Sequence, residues 1–213
     1  MKQKIPCLCE NSFEVDYPEE INLDSDPHYL DEILDGSFFN FICPSCSKKH
    51  KPEFPILVLW PSKKACFEVV SELDRGEFYR AKKPPAQKDS LPIETIISYP
   101  EMADRLAVIR DGFEPTAVEA IKYHLLIKAE EQYPENEMEI WYYSSNRDGP
   151  NGFLEFHIHG IRENEVAVTK IPLSLYQKTL DDYTTNPKGE IFAALRVRSY
   201  LSVKNTMRSE SLM

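Results

Sequence analysis

Two cysteine pairs mark the stretch that decides the fold, which begins with Ile5-Pro6-Cys7-Leu8-Cys9 and ends with Ile42-Cys43-Pro44-Ser45-Cys46. The second pair has the two-residue spacing with which a tight turn aims both thiolates at one metal ion. The 33 residues between the pairs are enough for a strand, a short helix and a returning strand. The stretch therefore predicts one Zn²⁺ site closing a small domain, with four ligands: Cys7, Cys9, Cys43 and Cys46.

The predicted site is structural, because four thiolates saturate a tetrahedral zinc ion and leave no position for water. Two other interpretations stay open, a redox pair at Cys43 and Cys46 or thiols without a ligand. A redox Cys-x-x-Cys normally opens a helix after a strand, and the basic sequence from Ser47 to His50 does not continue a helix convincingly. Zinc is therefore the favoured interpretation.

The composition indicates a folded, acidic protein. Its 213 residues suit one large domain or two small ones, and 42% hydrophobic with 28% charged residues are ordinary values for a globular chain. The net charge of −10 disfavours nucleic acid and anionic membranes as partners, because both are bound chiefly through basic patches. Ten acids and no Lys or Arg lie from Glu10 to Ile42. We therefore expect a protein partner, itself basic, and not a DNA site.

The compartment is predicted from what the chain lacks. The sequence Met1–Cys7 has no apolar region or cleavage site of an export signal, and no run reaches the roughly 18–20 apolar residues of a membrane helix. In a reducing compartment, closely spaced cysteines hold metal more often than they form disulfides. We expect a cytoplasmic protein.

The periodicity of the first half predicts short strands and one helix. Alternating or continuous apolar runs indicate the strands, and a helix over Pro27–Asp35 is ended by Gly36. The segment Arg80–Pro92 has the composition of a linker. The predicted strands are Ile5–Pro6, Ser12–Tyr17, Phe38–Ile42, Phe54–Trp60 and Ala65–Val70.

The second half predicts helices around an antiparallel β-meander. Residues 101–110, 115–132 and 172–183 have helical spacing, and Ile191–Tyr200 is a further candidate helix. A strand is expected at Thr95–Tyr99, and the meander strands are Glu139–Tyr143, Phe153–His159 and Val166–Ile171.

These elements together predict an α+β fold. An N-terminal zinc-ribbon-like module with an inserted short helix and extra strands is expected over residues 1–80. An α+β domain with the meander and two or three packed helices is expected over 93–201, and residues 202–213 are expected to form a flexible tail.

The order of these features resembles the CpXC family, bacterial and archaeal proteins named for paired Cys-Pro-x-Cys motifs. The resemblance rests on Ile5–Phe13, Ile21–Gly36, Phe38–Cys46 and the later stretch Ile109–Leu126. It implies a zinc-ribbon-like metal site and supplies no activity.

The first cysteine pair departs from the family motif. Cys7-Leu8-Cys9 is one residue tighter than Cys-Pro-x-Cys, and its proline, Pro6, precedes the pair. A one-residue spacer restricts how both sulfurs reach one ion. Cys7 is therefore the ligand that His50, four residues past Cys46, could replace.

A second candidate site lies on one predicted strand. Glu155, His157 and His159 alternate and so share a face, where they could bind a catalytic metal. A metal-dependent enzyme is thus the alternative function. The favoured interpretation is a solvent-facing strand surface, with the inward face formed by Leu154, Phe156 and Ile158.

The remaining candidates are interpreted as core. Cys66 stands alone on a strand and is expected to be a buried thiol. The aromatic residues around Trp141–Tyr143, with Phe153 and Phe156, could stack on bases, but few basic residues lie nearby, so sheet core is favoured. The sequence predicts a non-enzymatic, zinc-stabilised module that binds a protein partner.

Overall fold

The computed structural model describes residues 1–81 and 84–207 and shows a mixed α+β protein. Within those residues there are six α-helices and several antiparallel sheets, which confirms the predicted α+β class. The chain forms two compact units, Met1–Ala103 and Asp104–Met213, called here the first and second unit. The domain limits predicted above, 1–80 and 93–201, differ from this division and stay a prediction.

The first unit is built from short strands and three helices. In chain order these are β1 (Lys2–Pro6), β2 (Ser12–Asp16), β3 (Glu20–Asn22), α1 (His28–Asp35), β4 (Phe41–Ile42), β5 (Lys49–His50), β6 (Ile56–Trp60), β7 (Ala65–Val70), α2 (Arg75–Arg80), β8 (Gln87–Lys88), β9 (Leu91–Pro92), β10 (Glu94–Ile97) and α3 (Tyr99–Arg110), which continues past Ala103.

A mixed sheet in the order β10-β7-β6-β3 forms the centre of the first unit. β6 and β7 are antiparallel, whereas β10 pairs with β7 and β3 pairs with β6 in parallel. The apolar run Ile56–Trp60 suits a strand covered on both faces, and Val58 and Val69 are fully buried there. Two further hairpins, β1-β2 and β4-β5, carry the cysteine pairs.

Aromatic side chains pack beneath the two cysteine hairpins. Ile5, Val15, Tyr17 and Phe54 form a buried cluster, with Tyr17 and Phe54 stacked at a centroid distance of 4.1 Å. The Tyr99 hydroxyl donates to the Phe54 carbonyl at 3.0 Å and accepts from the Phe54 N–H at 2.9 Å. These contacts fix the hairpins against the start of α3.

Two predictions for the first unit need correction. The strand predicted over Phe38–Ile42 is limited to β4, because Phe39 has a left-handed φ of 51° that ends regular strand geometry. The predicted linker Arg80–Pro92 contains the hairpin β8-β9, and Lys88 on that hairpin pairs with Glu20 at 2.9 Å.

The second unit contains the remaining helices and a three-stranded meander. Its elements are α4 (Pro115–Gln132), β11 (Glu139–Asn146), β12 (Phe153–His159), β13 (Ala167–Pro172), α5 (Leu173–Thr185), α6 (Glu190–Ala194), β14 (Arg196–Val197) and β15 (Tyr200–Leu201). The antiparallel order β11-β12-β13 confirms the predicted meander. Its inner face is formed by Leu154, Phe156 and Ile158, all buried as predicted.

The C-terminal part of the second unit differs from the prediction. The helix predicted over Ile191–Tyr200 ends at Ala194, and a tight hairpin, β14-β15, follows with Arg198 in the left-handed region. The start of the predicted flexible tail is ordered, because Val203 and Asn205 are buried in a 3₁₀ turn. The rest of that tail, residues 208–213, lies outside the described residues.

Candidate metal centre

Each cysteine pair lies in the turn of a β-hairpin. Between β1 and β2, the N–H of Cys7 donates to the carbonyl of Asn11 at 2.9 Å, and the N–H of Glu10 donates to the carbonyl of Cys7 at 3.0 Å. We call this turn, Cys7–Asn11, the first knuckle. It places Cys7 and Cys9 at the end of the hairpin with Glu10 in the left-handed region at φ 68°.

The second hairpin repeats this design with one more residue. In the second knuckle, Cys43–Lys48, the N–H of Cys43 donates to the carbonyl of Lys48 and the N–H of Ser47 donates to that of Cys43, both at 2.9 Å. Ser47, directly after Cys46, is left-handed at φ 58°, as Glu10 is directly after Cys9. The two knuckles are thus the same turn, and the first has one residue fewer between its cysteines.

The two hairpins bring the four predicted cysteines together. All four sulfurs lie within 4.8 Å of one another. The Sγ atoms of Cys7 and Cys46 are 3.5 Å apart and those of Cys9 and Cys43 are 3.7 Å apart, so each close pair joins one hairpin to the other. All five cysteines of the chain are free thiols. Such a cluster of soft donors could hold a metal ion.

The thiols of the cluster differ in pKa because their burial and their hydrogen-bond donors differ. The main-chain N–H of Asn11 and the Cys7 thiol lower the pKa of Cys9 to about 6. The N–H of Cys9 lowers the pKa of Cys7, but burial and the neighbouring thiols raise it to about 12. Burial raises the pKa of Cys43, yet the N–H groups of its own knuckle lower it overall. The lowered pKa values of Cys9 and Cys43 favour their thiolate forms, which are the forms that bind metal ions.

Two side chains outside the sulfur cluster contact the first knuckle. The Nε2 atom of His50 lies 3.2 Å from Cys7 Sγ, and the Nδ2 group of Asn11 donates to Cys9 Sγ at 3.7 Å. The sequence identified His50 as a possible ligand and did not identify Asn11. The position of Asn11 in the sequence could have predicted its contact, because it lies two residues after Cys9 and ends the shortened turn.

The redox interpretation is not supported by the position of the second pair. Cys43 and Cys46 lie in a hairpin turn that β5 follows, whereas a redox pair opens a helix. Cys66 is a core thiol as predicted, since it is 1% exposed and burial raises its pKa.

The second candidate site lies on the outer face of β12. His157 Nε2 is 3.3 Å from Glu155 Oε1, and Lys170 Nζ is 3.4 Å from Glu155 Oε2. His159 is exposed. Among residues 1–81 and 84–207, the cluster of potential metal ligands is the four-cysteine group and does not include this row. The arrangement is that of the solvent-facing strand surface favoured by the sequence.

The aromatic residues of the meander are only partly core, which corrects the prediction. Tyr142 and Phe156 are buried, but Tyr143 is 59% exposed and stacks on His157 with a centroid distance of 3.9 Å. Strand alternation is the physical reason, because Ile140 and Tyr142 take the inner face of β11 and Tyr143 therefore lies on the outer one.

Fold and site together define a mixed α+β protein with a four-thiol cluster between two hairpin turns. A family model described as "CpXC protein" matches residues 5–122, which is more than half of the chain. The chain belongs to the CpXC family, and the resemblance inferred from its sequence is confirmed.

The chain is also similar to a protein of Treponema pallidum (strain Nichols) that bears the name "Uncharacterized protein". The two are 27% identical over 214 residues, which cover 95% of this chain and 97% of the relative. No solved structure matches the chain. Among the helices of the described residues, none combines the length and hydropathy that crossing a membrane requires.

Proposed function

We propose that Cys7, Cys9, Cys43 and Cys46 hold one structural Zn²⁺ ion. The sulfur cluster carries this proposal. In a tetrahedral ZnS₄ centre with Zn–S bonds of about 2.3 Å, sulfurs are about 3.8 Å apart. The two measured separations, 3.5 and 3.7 Å, are close to that value. Two hairpins that each present a cysteine pair from a tight turn also fit the predicted zinc-ribbon-like module.

The proposed ion stabilises the first unit and takes no part in catalysis. Four thiolates fill its coordination sphere and leave no position for a substrate. Structural zinc contributes roughly 10–16 kcal/mol of apparent binding free energy. The second hairpin is short, since β4 and β5 have two residues each, so the proposed metal adds most to the stability of that hairpin.

Metal content per chain tests the zinc proposal directly. Protein purified without added metal is analysed by mass spectrometry, and thiols are counted before and after denaturation with a chelator. We expect one zinc per chain, no reactive thiol in the native protein, and five reactive thiols after denaturation with the chelator, since Cys66 is buried as well. A metal-free protein whose four knuckle cysteines react freely or form disulfides would contradict the proposal.

Substitution of one ligand separates a structural metal from an incidental one. Cys43→Ser should lose zinc and unfold the knuckle hairpins, observed as reduced metal content and loss of amide protection in residues 1–54. Cys66→Ala is the matched control, because Cys66 is buried in β7 away from the cluster, and it should keep its zinc. A Cys43→Ser variant that stays folded without metal would show that the ion is not structural.

We further propose that the first unit binds a basic protein partner through its acidic surface, residues 10–35. Nine of its ten acids are exposed and Glu32 is half-buried. Two of these acids form ion pairs with lysines of the same unit, Glu14 with Lys2 and Glu20 with Lys88. Asp26, Asp31 and Glu32 form no ion pair with any residue that the structure describes, so their charge is available to a partner.

The helix α1 presents this charge beside an apolar cavity. His28, Asp31 and Asp35 are exposed on one side of α1, while Ile33 is buried. At its C-terminal end a cavity of about 200 Å³ lies next to Leu34 and Asp35. That volume is below the roughly 300–1,000 Å³ of small-molecule sites, and it suits a single apolar side chain. The other residues lining it include Phe38, Lys51, Tyr99 and Met102.

Selection from a phage-displayed random peptide library tests this surface. We expect enriched peptides that carry Lys or Arg next to one large apolar residue, and tighter binding at low salt. Asp31→Lys with Asp35→Lys should weaken that binding about tenfold or more, whereas Glu131→Lys with Glu135→Lys in the second unit should not. Enrichment of acidic or neutral peptides, or binding unchanged by the α1 substitutions, would contradict the proposal. We place this function in the cytoplasm.

A further inference from the structure

The shortened first knuckle lacks a main-chain donor that the second knuckle has. Cys43 Sγ accepts from the N–H groups of Ser45 and Cys46, two and three residues further on. Cys7 Sγ accepts from the N–H of Cys9 in the same way. The N–H three residues after Cys7 belongs to Glu10 and donates to the Cys7 carbonyl instead, at 3.0 Å.

His50 occupies the place where a donor to Cys7 is needed. It lies on β5 opposite Phe41, and its ring meets that of Phe13 edge-on at 5.6 Å, so both hairpins position it. Its Nε2 atom is 3.2 Å from Cys7 Sγ, the length of a hydrogen bond to sulfur. Among the described residues, the mutual 4.8 Å cluster contains the four sulfurs and not His50.

We infer that His50 is a positioning residue of the metal centre, whose Nε2–H donates to the Cys7 thiolate and replaces the main-chain donor that the shortened knuckle has lost. The inference rests on the proposed zinc site. The His50 hydrogen bond offsets part of the negative charge of a four-thiolate centre and keeps Cys7 on the metal.

The inference is tested by measuring zinc affinity against a competing chromophoric chelator. His50→Phe keeps the ring contact with Phe13 but has no donor, and it should bind zinc about 10–100-fold more weakly. His50→Gln keeps an N–H group near the same position and should stay close to wild type. His159→Phe, a histidine exposed in the second unit, is the matched control and should change nothing.

Cobalt substitution distinguishes an outer donor from a ligand. The sulfur-to-cobalt charge-transfer band reports how many thiolates bind the metal, and we expect four in the wild type and in both His50 variants at saturating cobalt. Zinc affinity of His50→Phe equal to wild type would overturn the inference. Three thiolates in the wild type, with a ligand-field spectrum altered by His50→Gln, would also overturn it and make His50 a ligand. A wild type that binds neither metal would instead refute the zinc site itself.

Discussion

Tyr142 and Asp111 form a polar contact inside the second unit. The Tyr142 hydroxyl donates to Asp111 Oδ2 at 2.6 Å, and Arg110 pairs with the same carboxylate at 2.7 Å. Burial raises the pKa of Asp111, but Arg110 and Tyr142 lower it below its usual range overall. Burial and the carboxylate of Asp111 raise the pKa of Tyr142. The contact therefore depends on an ionised Asp111.

Replacing Tyr142 by Phe should make stability less dependent on pH. The variant keeps the ring but loses a hydrogen bond to a charged group, so it should be about 1–2 kcal/mol less stable at pH 7. Because the folded pKa of Asp111 is lower than its unfolded value, its contribution is present above the unfolded pKa and is lost as pH falls through the folded one.

Urea unfolding at pH 7 and at pH 3 measures this difference. The gap between wild type and Tyr142→Phe should shrink at pH 3, because Asp111 is by then largely protonated in the unfolded state, while its pKa in the folded state is lower. Tyr143→Phe, a substitution at the exposed neighbour, is the control and should show no gap at either pH. A gap of the same size at both values would show that the hydroxyl does not act through the Asp111 charge.

At the scale of elements, a buried ionic group joins α4 to the parts of the second unit around it. Lys122 Nζ donates to Asp104 and, at 2.8 Å, to Glu119. The carboxylate of Asp104 accepts from the N–H of Tyr142 in β11 at 2.6 Å, and that of Glu119 accepts from the N–H of Val203 at 2.7 Å. The carboxylate of Asp104 therefore connects β11 to this group, and that of Glu119 connects the segment around Val203 to α4.

Removal of the cation should be strongly destabilising. Lys122→Met leaves buried Asp104 without its counter-charge and removes one of the two cations near Glu119, the other being Arg105. We expect a loss of about 3–5 kcal/mol in the free energy of unfolding, measured with urea. Lys128→Met, at an exposed position of the same helix, should change it little. Adding Asp104→Asn to Lys122→Met should restore most of the loss, because Glu119 keeps Arg105 as its counter-charge. A double variant as unstable as the single one would contradict the charge-based explanation.

The sequence predicted best the elements in which the apolar pattern extends over many residues. The apolar stripe of Pro115–Gln132 and the alternation of Phe153–His159 give α4 and β12 with their observed limits. Strands of two residues have no periodicity to detect. The strand β4 and the hairpin after Ala194 depend instead on left-handed residues, Phe39 and Arg198, which are not glycines and carry no sequence signal.

The cysteine cluster of the candidate site was predictable from the sequence, and its surroundings were predictable only in part. The spacing of Cys43 and Cys46 indicates a metal-binding turn from local sequence alone. The contact between His50 and Cys7 joins residues 43 positions apart and depends on the register of two separate hairpins. No pattern within either hairpin specifies that register.

At the scale of the whole molecule, the proposed metal should stabilise one unit and not the other. Removing zinc with a chelator should increase hydrogen exchange in residues 1–17 and 39–53, because the knuckle N–H groups of Cys7 and Cys43 are held by turns that the metal fixes. Amides of β11 and β12 should keep their protection. Mass spectrometry of the exchanged protein resolves the two regions, and an equal loss across both units, or no change, would contradict the prediction.

The order of the proposed metal-centre residues along the chain has a consequence for biosynthesis. All four cysteines and His50 precede the second unit, so they leave the ribosome before residues 104–213 are made. At about 5–20 residues per second, translating the rest of the chain after His50 takes on the order of 8–30 s. During that interval the nascent first unit can take up its ion. Zinc supply would thus act while the polypeptide is still being translated, and a chain begun without zinc would expose an open N-terminal segment to proteases before its second unit exists.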